Sequence, residues 1–303
     1  MTTARPTRRQ LALAGQLQFR QRTKLGEYTA MRELKGRVAL ITGASAGIGV
    51  HVARALAKQG MNLALAARRP VELEQVAAEM RGLGVKAVAI PTDVADEGQL
   101  QNLVERTMSE LGAIDVLVNN AGVEAFRRFD EIPPADIRRT IDVNLTATLL
   151  LTRYVIPHMQ QAGRGHIVNM ASIAGKQGPA FAAIYGASKA GQIAFTQSLR
   201  SEYHGSGISA SAICPGFATD GGIYEELRER SGKSVPWYVG GTSSEAVSRA
   251  VVKAIKSDRA DLIVNVPTLR GLFTLCSLFP RIGESLFRLA SRKYLERAAA
   301  AHK

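Results

Sequence analysis

Cysteine is nearly absent from this chain. Cys214 and Cys276, the only two among 303 residues, form no disulfide framework and suit a reducing cytosol. Histidine is scarce as well: His51, His158, His166, His204 and His302 fall at no metal-ligand spacing, so no catalytic metal is expected. No apolar run reaches the ~20 residues of a membrane span. The first 34 residues hold no stretch long enough for the apolar core of a secretory signal, which argues against a signal peptide. Repeats are missing, low complexity is confined to Ala298–Ala301, and no Pro/Gly/Ser-rich boundary splits the middle of the chain, so one catalytic domain is expected.

Acidic residues are few beside basic ones, and the net charge of +13 is concentrated at the ends. Residues 1–37 hold nine basic and two acidic residues, residues 270–303 hold seven and two, and residues 38–269 are almost neutral with 23 and 22. Basic ends suit anionic surfaces, but no nucleic-acid motif accompanies them, so no nucleic-acid partner is expected; solvated tails are the simplest account. The Arg-rich, acid-poor beginning also has the composition of an organelle-targeting peptide.

What the chain does have is alternation. Apolar, partly β-branched runs at 38–42, 62–67, 85–90, 114–118, 166–170, 208–213 and 261–266 alternate with helical patterns near 47–59, 71–83, 97–111, 135–162, 181–203 and 244–257. Strands separated by helices imply parallel βαβ units, and 303 residues with 46% hydrophobic content can bury a large core. The first run, Val38-Ala-Leu-Ile-Thr42, passes directly into Gly43-Ala-Ser-Ala-Gly47-Ile-Gly49 and a helical pattern through Ile48, Val52 and Leu56. Strand, glycine turn and helix in that order put backbone N–H groups and a positive helix end where a pyrophosphate can sit, and the missing side chains let it approach. A plain tight turn is the competing account.

Tyr185 and Lys189, in Ile184-Tyr-Gly-Ala-Ser-Lys189, share one helix face, and Ser172 lies thirteen residues before the tyrosine. A free phenol holds its proton to pH ~10, so it acts as a base near neutrality only if a positive charge such as Lys189 stabilises the phenolate. A hydroxyl such as Ser172 can then hold a substrate oxygen while the tyrosine gives or takes a proton. By itself the pair also occurs as a half-buried ring beside a solvated amine.

Thr42-Gly-Ala-Ser-Ala-Gly-Ile-Gly49, Asn119-Asn-Ala-Gly122, Asn144, Ser172, Tyr185-x-x-x-Lys189 and Pro215-Gly216 stand in the order and at the spacings of the short-chain dehydrogenase/reductase family, which the chain resembles from about Leu34 to Pro267. The resemblance implies an α/β fold, a single Rossmann-like doubly wound domain with a parallel seven-stranded sheet and helices on both faces. It further implies a bound nicotinamide dinucleotide, hydride transfer to or from a carbonyl/alcohol carbon, and a homodimer or homotetramer. On that resemblance Tyr185 is the acid/base, Lys189 depresses its pKa and binds the nicotinamide ribose, Ser172 fixes the reacting oxygen, and Asn144 interrupts a long helix and holds a water linking Lys189 to solvent. Gly43, Ser45, Ala46, Gly47, Ile48 and Gly49 are expected to cradle the cofactor, with Asp93 and Val94 at the adenine. Asn119 to Gly122, after the fourth strand, would stabilise the sheet centre and flank the adenosine, with Asn120, Ala121 and Gly122 at the cofactor, and Pro215, Gly216 and Ala218 complete the site. The family's threonine after this proline is displaced: its slot is Asp220, and Thr219 comes one residue early. The segment that follows, to about Gly241 with Tyr224, Trp237 and Tyr238, reads as a substrate-covering lid or as ordinary packing.

Cofactor choice follows from charge. NAD sites place a carboxylate after the second strand, whereas NADP needs positive charge for its 2′-phosphate. Here Asn62-Leu-Ala-Leu-Ala-Ala67 ends in Arg68-Arg69, and no Asp or Glu occurs from Leu34 through Val71. NADP is therefore expected over NAD, with Arg68 as the first phosphate ligand and Arg69 the alternate. Ala46 departs from members with a basic residue in the glycine loop.

The reading divides the chain into a basic extension (1–34), a catalytic domain (35–268) and a basic amphipathic extension (269–303). Met31-Arg-Glu-Leu-Lys-Gly-Arg37 resembles the family's lead-in to the first strand, at which translation could start. The last part reads as two short amphipathic helices, one with Leu272, Phe273, Leu275, Leu278 and Phe279, the other with Ile282, Leu286, Phe287 and Leu289 among Arg281, Arg288, Arg292 and Lys293. These could pack on the protein itself, lie in a bilayer interface, cover the pocket or join subunits. The expectation is a cytoplasmic NADP(H)-dependent oxidoreductase, with peripheral membrane contact through the tail as an option, acting on a carbonyl or secondary alcohol of a small-to-medium lipophilic molecule. The rival from another class is a catalytically idle dinucleotide-binding sensor or scaffold. A sugar epimerase would use the same pair but needs a larger C-terminal substrate domain than ~60 residues can form.

Overall fold

Val38–Thr42 (β1) is buried at all five positions, as expected of a strand covered on both faces. Its side chains alternate between two cores: Ala39 and Ile41 enter one, Leu40 the other. Asn62–Ala67 (β2), Ala87–Pro91 (β3), Val116–Asn119 (β4), Gly165–Met170 (β5), Ile208–Pro215 (β6) and Asp261–Val264 (β7) complete one sheet in the order β3-β2-β1-β4-β5-β6-β7. Every pairing is parallel. The edge strands β3 and β7 are the partly exposed ones. The structure, a computed structural model, describes residues 30–124, 126–220 and 240–300. The N-terminal segment before residue 30 and most of the lid segment with Tyr224, Trp237 and Tyr238 therefore lie outside the described residues.

Helices Gly47–Ala57 (α1), Pro70–Gly82 (α2), Glu97–Leu111 (α3), Pro134–Ile141 (α4), Ala147–Ala162 (α5), Ala183–Glu202 (α6) and Ser244–Ser257 (α7) flank the sheet. Leu56, Leu73, Met80, Val247 and Val251 of α1, α2 and α7 fill one core; Leu100, Leu103, Val155, Met159 and Leu199 of α3, α5 and α6 fill the other. The expected doubly wound sheet with helices on both faces is what the chain forms.

Beyond shifts of one or two residues at element ends, three local features stand out against the sequence reading. The helical pattern at 135–162 is broken by a π-helical turn, Asp142–Thr146, that contains Asn144. Strand β6 runs on to Pro215, because the pairing with β7 continues to Pro215↔Val264. After α8 (Arg270–Leu278) comes not a short helix but the 21-residue α9 (Pro280–Ala300). Despite that length, no helix among the described residues is apolar enough to cross a membrane. A Cβ on Gly283 would overlap Cys276, so glycine is what lets α9 fold back onto α8. The pair is anchored on the domain: Leu269 and Phe273 are buried against Ile173, with Leu272 and Phe287 packed alongside.

At the other end, Leu34 is buried in the first core, and the Met31 amide donates to the Ile255 carbonyl at 3.2 Å.

Candidate active site

Parallel strands share one carboxyl edge, and there the sheet collects every motif of the sequence reading. The order reverses between β1 and β4, where ligands bind in sheets of this topology. The loop after β1 turns through left-handed backbone at Gly43 (φ 65) and Gly47 (φ 53). A Cβ on Gly49 would overlap the Gly43 carbonyl. Ala44 and Gly49 are buried, whereas Gly43, Ser45, Ala46, Gly47 and Ile48 keep a surface open to solvent. Helices α3 and α7 are capped by the side chains of Asp96 and Ser243, but at α1 the capping residue is Ala46, which has nothing to offer, and the first turn holds no acid. The first N–H groups of α1 and its positive end are thus left for an anion, and the residues fit a dinucleotide pyrophosphate.

Around this loop the other expected cofactor residues divide by role. Arg68, directly after β2, is exposed. Arg69 reaches across to the glycine loop, donating to the Ser45 carbonyl (3.4 Å) and hydroxyl (3.3 Å), with Glu72 3.6 Å away. Asp93, after β3, accepts from the Ala95 amide at 3.0 Å, and Val94 beside it is buried. Asn120 uses its side-chain amide to donate to the Thr42 and Gly43 carbonyls (3.0 and 3.2 Å), and the Thr42 hydroxyl accepts from the Asn120 and Ala121 amides (3.0 and 3.1 Å). These bonds lock the ends of β1 and β4 together. Asn119 bridges to Asn169 (2.9 Å) and Thr152 (3.1 Å) across the sheet centre. After β6, Pro215 and Ala218 are buried, and the Gly216 amide donates to Val264. Asp220, in the slot the family gives to threonine, accepts from the Ser244 amide (2.8 and 2.9 Å) and hydroxyl (2.8 Å) at the start of α7. Thr219 donates to the Thr242 carbonyl at 3.2 Å. Both side chains are engaged in holding this loop.

Ser172, Tyr185, Lys189 and Asn144 do come together. Ser172 is buried at the end of β5, its oxygen accepting from the Ala174 amide at 3.1 Å and close enough to Tyr185 to hydrogen-bond the phenol. Tyr185 and Lys189 sit one turn apart on α6, the ammonium 5.7 Å from the phenol ring centroid. Lys189, only 3% exposed, donates to the Met170 carbonyl (2.7 Å) and to the Gln192 side chain (3.1 Å). Asn144, fully buried in the π-helical turn, clamps Val123 by accepting from its amide (2.8 Å) and donating to its carbonyl (2.9 Å), and donates to the Ser188 hydroxyl at 3.1 Å. Gly122 faces the Asn144 oxygen and the Lys189 nitrogen, which a Cβ would meet at 3.4 and 3.5 Å.

The electrostatics correct one expectation. Lys189 was to depress the tyrosine pKa; instead burial of the phenol outweighs the hydrogen bond from Ser172, Glu124 adds negative potential, and Tyr185 is pushed up to about 12. Lys189 is itself penalised by burial and drawn down to about 8. The phenol is therefore protonated at neutral pH and the ammonium is only just retained. Sequence reasoning also missed Thr42, Gln192, Ser188, Glu124 and Phe126, whose ring lies 5.9 Å from that of Tyr185. Local signals existed for three of them: Thr42 and Ser188 stand inside the motifs that carry the resemblance, and Gln192 stands three residues after Lys189, on the same helix face.

Comparison with known proteins adds identity to this geometry. The family profile described as short chain dehydrogenase matches residues 37–232. The chain is 42% identical over 235 residues to ketoacyl reductase HetN from Nostoc sp., covering 78% of this chain and 80% of that one. It is 38% identical over 192 residues to a 3-oxoacyl-[acyl-carrier-protein] reductase from Synechocystis sp., covering 63% and 78%. A short-chain dehydrogenase/reductase from Burkholderia phymatum, solved in complex with NAD, superposes with a TM-score of 0.74 at 27% identity, covering 83% of this chain and 96% of that one.

Proposed function

The chain belongs to the short-chain dehydrogenase family and is an oxidoreductase of that type, and we propose that it reduces a carbonyl group of a small-to-medium lipophilic molecule with NADPH. The observation that carries this reading is the Ser172–Tyr185–Lys189 cluster, in which the phenol keeps its proton at neutral pH. A protonated phenol beside a hydroxyl is equipped to donate, and donation is what carbonyl reduction needs. NADPH, when bound, supplies the hydride. The carbonyl carbon accepts it, and the negative charge that develops on the oxygen is met by a hydrogen bond from Ser172 and by the proton of Tyr185, an alkoxide being far more basic than a phenolate. Lys189 keeps positive charge behind the phenol, which stabilises the phenolate left after transfer.

Gly43, Ser45, Ala46, Gly47 and Ile48 with the start of α1 would hold the pyrophosphate, and Lys189 the ribose. The preference for NADPH is supported by Arg68 and Arg69 after β2 and by the lack of a carboxylate from Leu34 through Val71. Because Glu72 sits beside Arg69, Arg68 is the freer cation for a 2′-phosphate. One relative named as a ketoacyl reductase and another as a 3-oxoacyl-[acyl-carrier-protein] reductase make β-ketoacyl thioesters the first substrate class to try. The test is oxidation of NADPH, followed at its absorbance band, against β-ketoacyl thioesters, steroid ketones and aromatic aldehydes. No turnover on any class, with NADPH bound, would favour the idle sensor or scaffold.

The tail adds a location. Its inner face packs on Ile173, next to Ser172, while Leu278, Phe279, Ile282 and Leu289 are 68%, 53%, 54% and 77% exposed. Arg281, Arg288 and Arg292 are exposed on the same helix as Ile282 and Leu289. Apolar side chains beside a basic row suit an anionic bilayer surface, and we assign the outer face of α8 and α9 to peripheral contact with one.

A further inference from the structure

The family resemblance gives the space between Lys189 and Asn144 to a water. In this chain a side chain occupies it. Gln192 is fully buried on α6, one turn beyond Lys189. Its carbonyl oxygen accepts from the Lys189 ammonium at 3.1 Å, and its amide nitrogen donates to the Asn144 main-chain carbonyl at 2.6 Å and to the Thr148 hydroxyl at 2.9 Å. Thr148 in turn donates to the same Asn144 carbonyl at 3.0 Å. A carbonyl oxygen has two lone pairs, and here Gln192 and Thr148 take both. The hydrogens of the Asn144 side-chain amide are spent on Val123 and Ser188.

We propose that Gln192 is the positioning residue of the catalytic lysine, its amide replacing a bridging water and fixing the ammonium through a direct Lys189–Gln192–Asn144 link. This rests on the reading of Tyr185 and Lys189 as the catalytic pair. An ammonium has three N–H groups. The Met170 carbonyl and Gln192 hold two of them, so the third is set by tetrahedral geometry and is the one left for the ribose and phenol side. A water could turn and exchange; a glutamine anchored at its other end by two bonds cannot. An amide also does not pass protons along as water does, so Gln192 orients and stabilises the charge but is no link in a relay to solvent.

The other titratable groups around the lysine are Tyr185 on the same helix, Cys214 on β6 and Glu124 beside the phenol. Burial pushes the Cys214 thiol up to about 12, so it stays neutral across the working range. Changes at Gln192 should therefore be read mainly by Lys189.

Two variants of nearly the same size test this. Gln192→Met removes the hydrogen bonds, and Gln192→Glu puts a negative charge in their place. With Met, kcat should fall at least ~10-fold, the factor one charge-assisted hydrogen bond is worth, and the alkaline limb of the pH profile should move to lower pH. With Glu the limb should move to higher pH. A merely structural glutamine would alter thermal stability and leave the limb in place in both variants. The Lys189 side-chain pKa, titrated by NMR in ligand-free protein labelled at lysine, must move the same opposite ways whether or not a substrate has been found. Unmoved lysine titration in both variants, or shifts of the same sign, overturns the proposal; opposite shifts without any turnover would sustain the positioning and count against the proposed reaction.

Discussion

Lys189 holds its charge at a cost to the fold, and that cost can be measured. The ammonium is 3% exposed, and burial lowers its pKa from 10.5 in the open chain to about 8. Below both values the folded and unfolded states carry the same proton, and the full penalty of a buried charge applies. As pH rises through the folded value the native lysine loses its proton first, so wild type gains stability until the unfolded lysine titrates as well. The window lies between about 8 and 10.5. At ~1.4 kcal/mol per pKa unit the whole gain is roughly 3 to 4 kcal/mol, and between about pH 7 and about pH 9 it is roughly 1 kcal/mol. Lys189→Met lacks this group but also leaves the Met170 carbonyl and Gln192 oxygen without their donor. That second effect offsets part of the gain by an amount with little pH dependence. Urea unfolding of wild type and variant at the two pH values cancels it: wild type should gain about 1 kcal/mol relative to the variant on going to the higher pH. A flat difference, or one of opposite sign, would mean that Lys189 is stabilised as a cation by its surroundings, and would refute the burial argument.

Tyr185→Phe should leave the fold and NADPH binding intact while lowering turnover by ~10²-fold or more, the scale of general acid catalysis, as read by initial rates. Arg68→Ala with Arg69→Ala should weaken NADPH by a few kcal/mol and NADH hardly at all in a fluorescence titration, because only the 2′-phosphate loses charge-assisted contacts; equal losses would sink the assignment. Full-length protein should co-sediment with anionic liposomes at low salt and be released as salt rises. Deleting residues from Leu269 onward should abolish co-sedimentation, whereas failure of the intact chain to bind such liposomes would remove the membrane assignment.

Much of the site was legible before any coordinates, for a physical reason. A strand buried on both faces, a glycine loop and an amphipathic helix are written in neighbouring residues, so Val38–Thr42 and Gly43–Gly49 announce themselves locally. Parallel strands then oblige every strand end to meet on one edge, which is why residues as distant in sequence as Gly43, Asn144 and Tyr185 could be assigned to one site. The interruption at Asn144 was anticipated from the resemblance, and the backbone realises it as a π-helical turn.

What the tertiary structure alone decided depends on enclosure and on partners far along the chain. The spacing of Tyr185 and Lys189 pointed to a depressed phenol, but the sign of a pKa shift is set by how much water the surrounding elements remove, and burial won. Asp220 stands in the slot the family gives to threonine, and only the fold shows its carboxylate spent on Ser244. Whether Arg68 or Arg69 touches the glycine loop turned on the direction in which α2 leaves the strand, and it is Arg69 that reaches Ser45. The tail shows the same division: its amphipathic pattern was plain in sequence, yet only the packing of Leu269 and Phe273 on Ile173 determined which face is spent on the protein and which is left outside. Sequence determined the elements and the chemistry available at their ends, since those are local properties of side chains and backbone. Charge state, the bridge through Gln192 and the exposed face of the tail were decided by long-range packing, because desolvation and hydrogen-bond geometry exist only once distant segments meet.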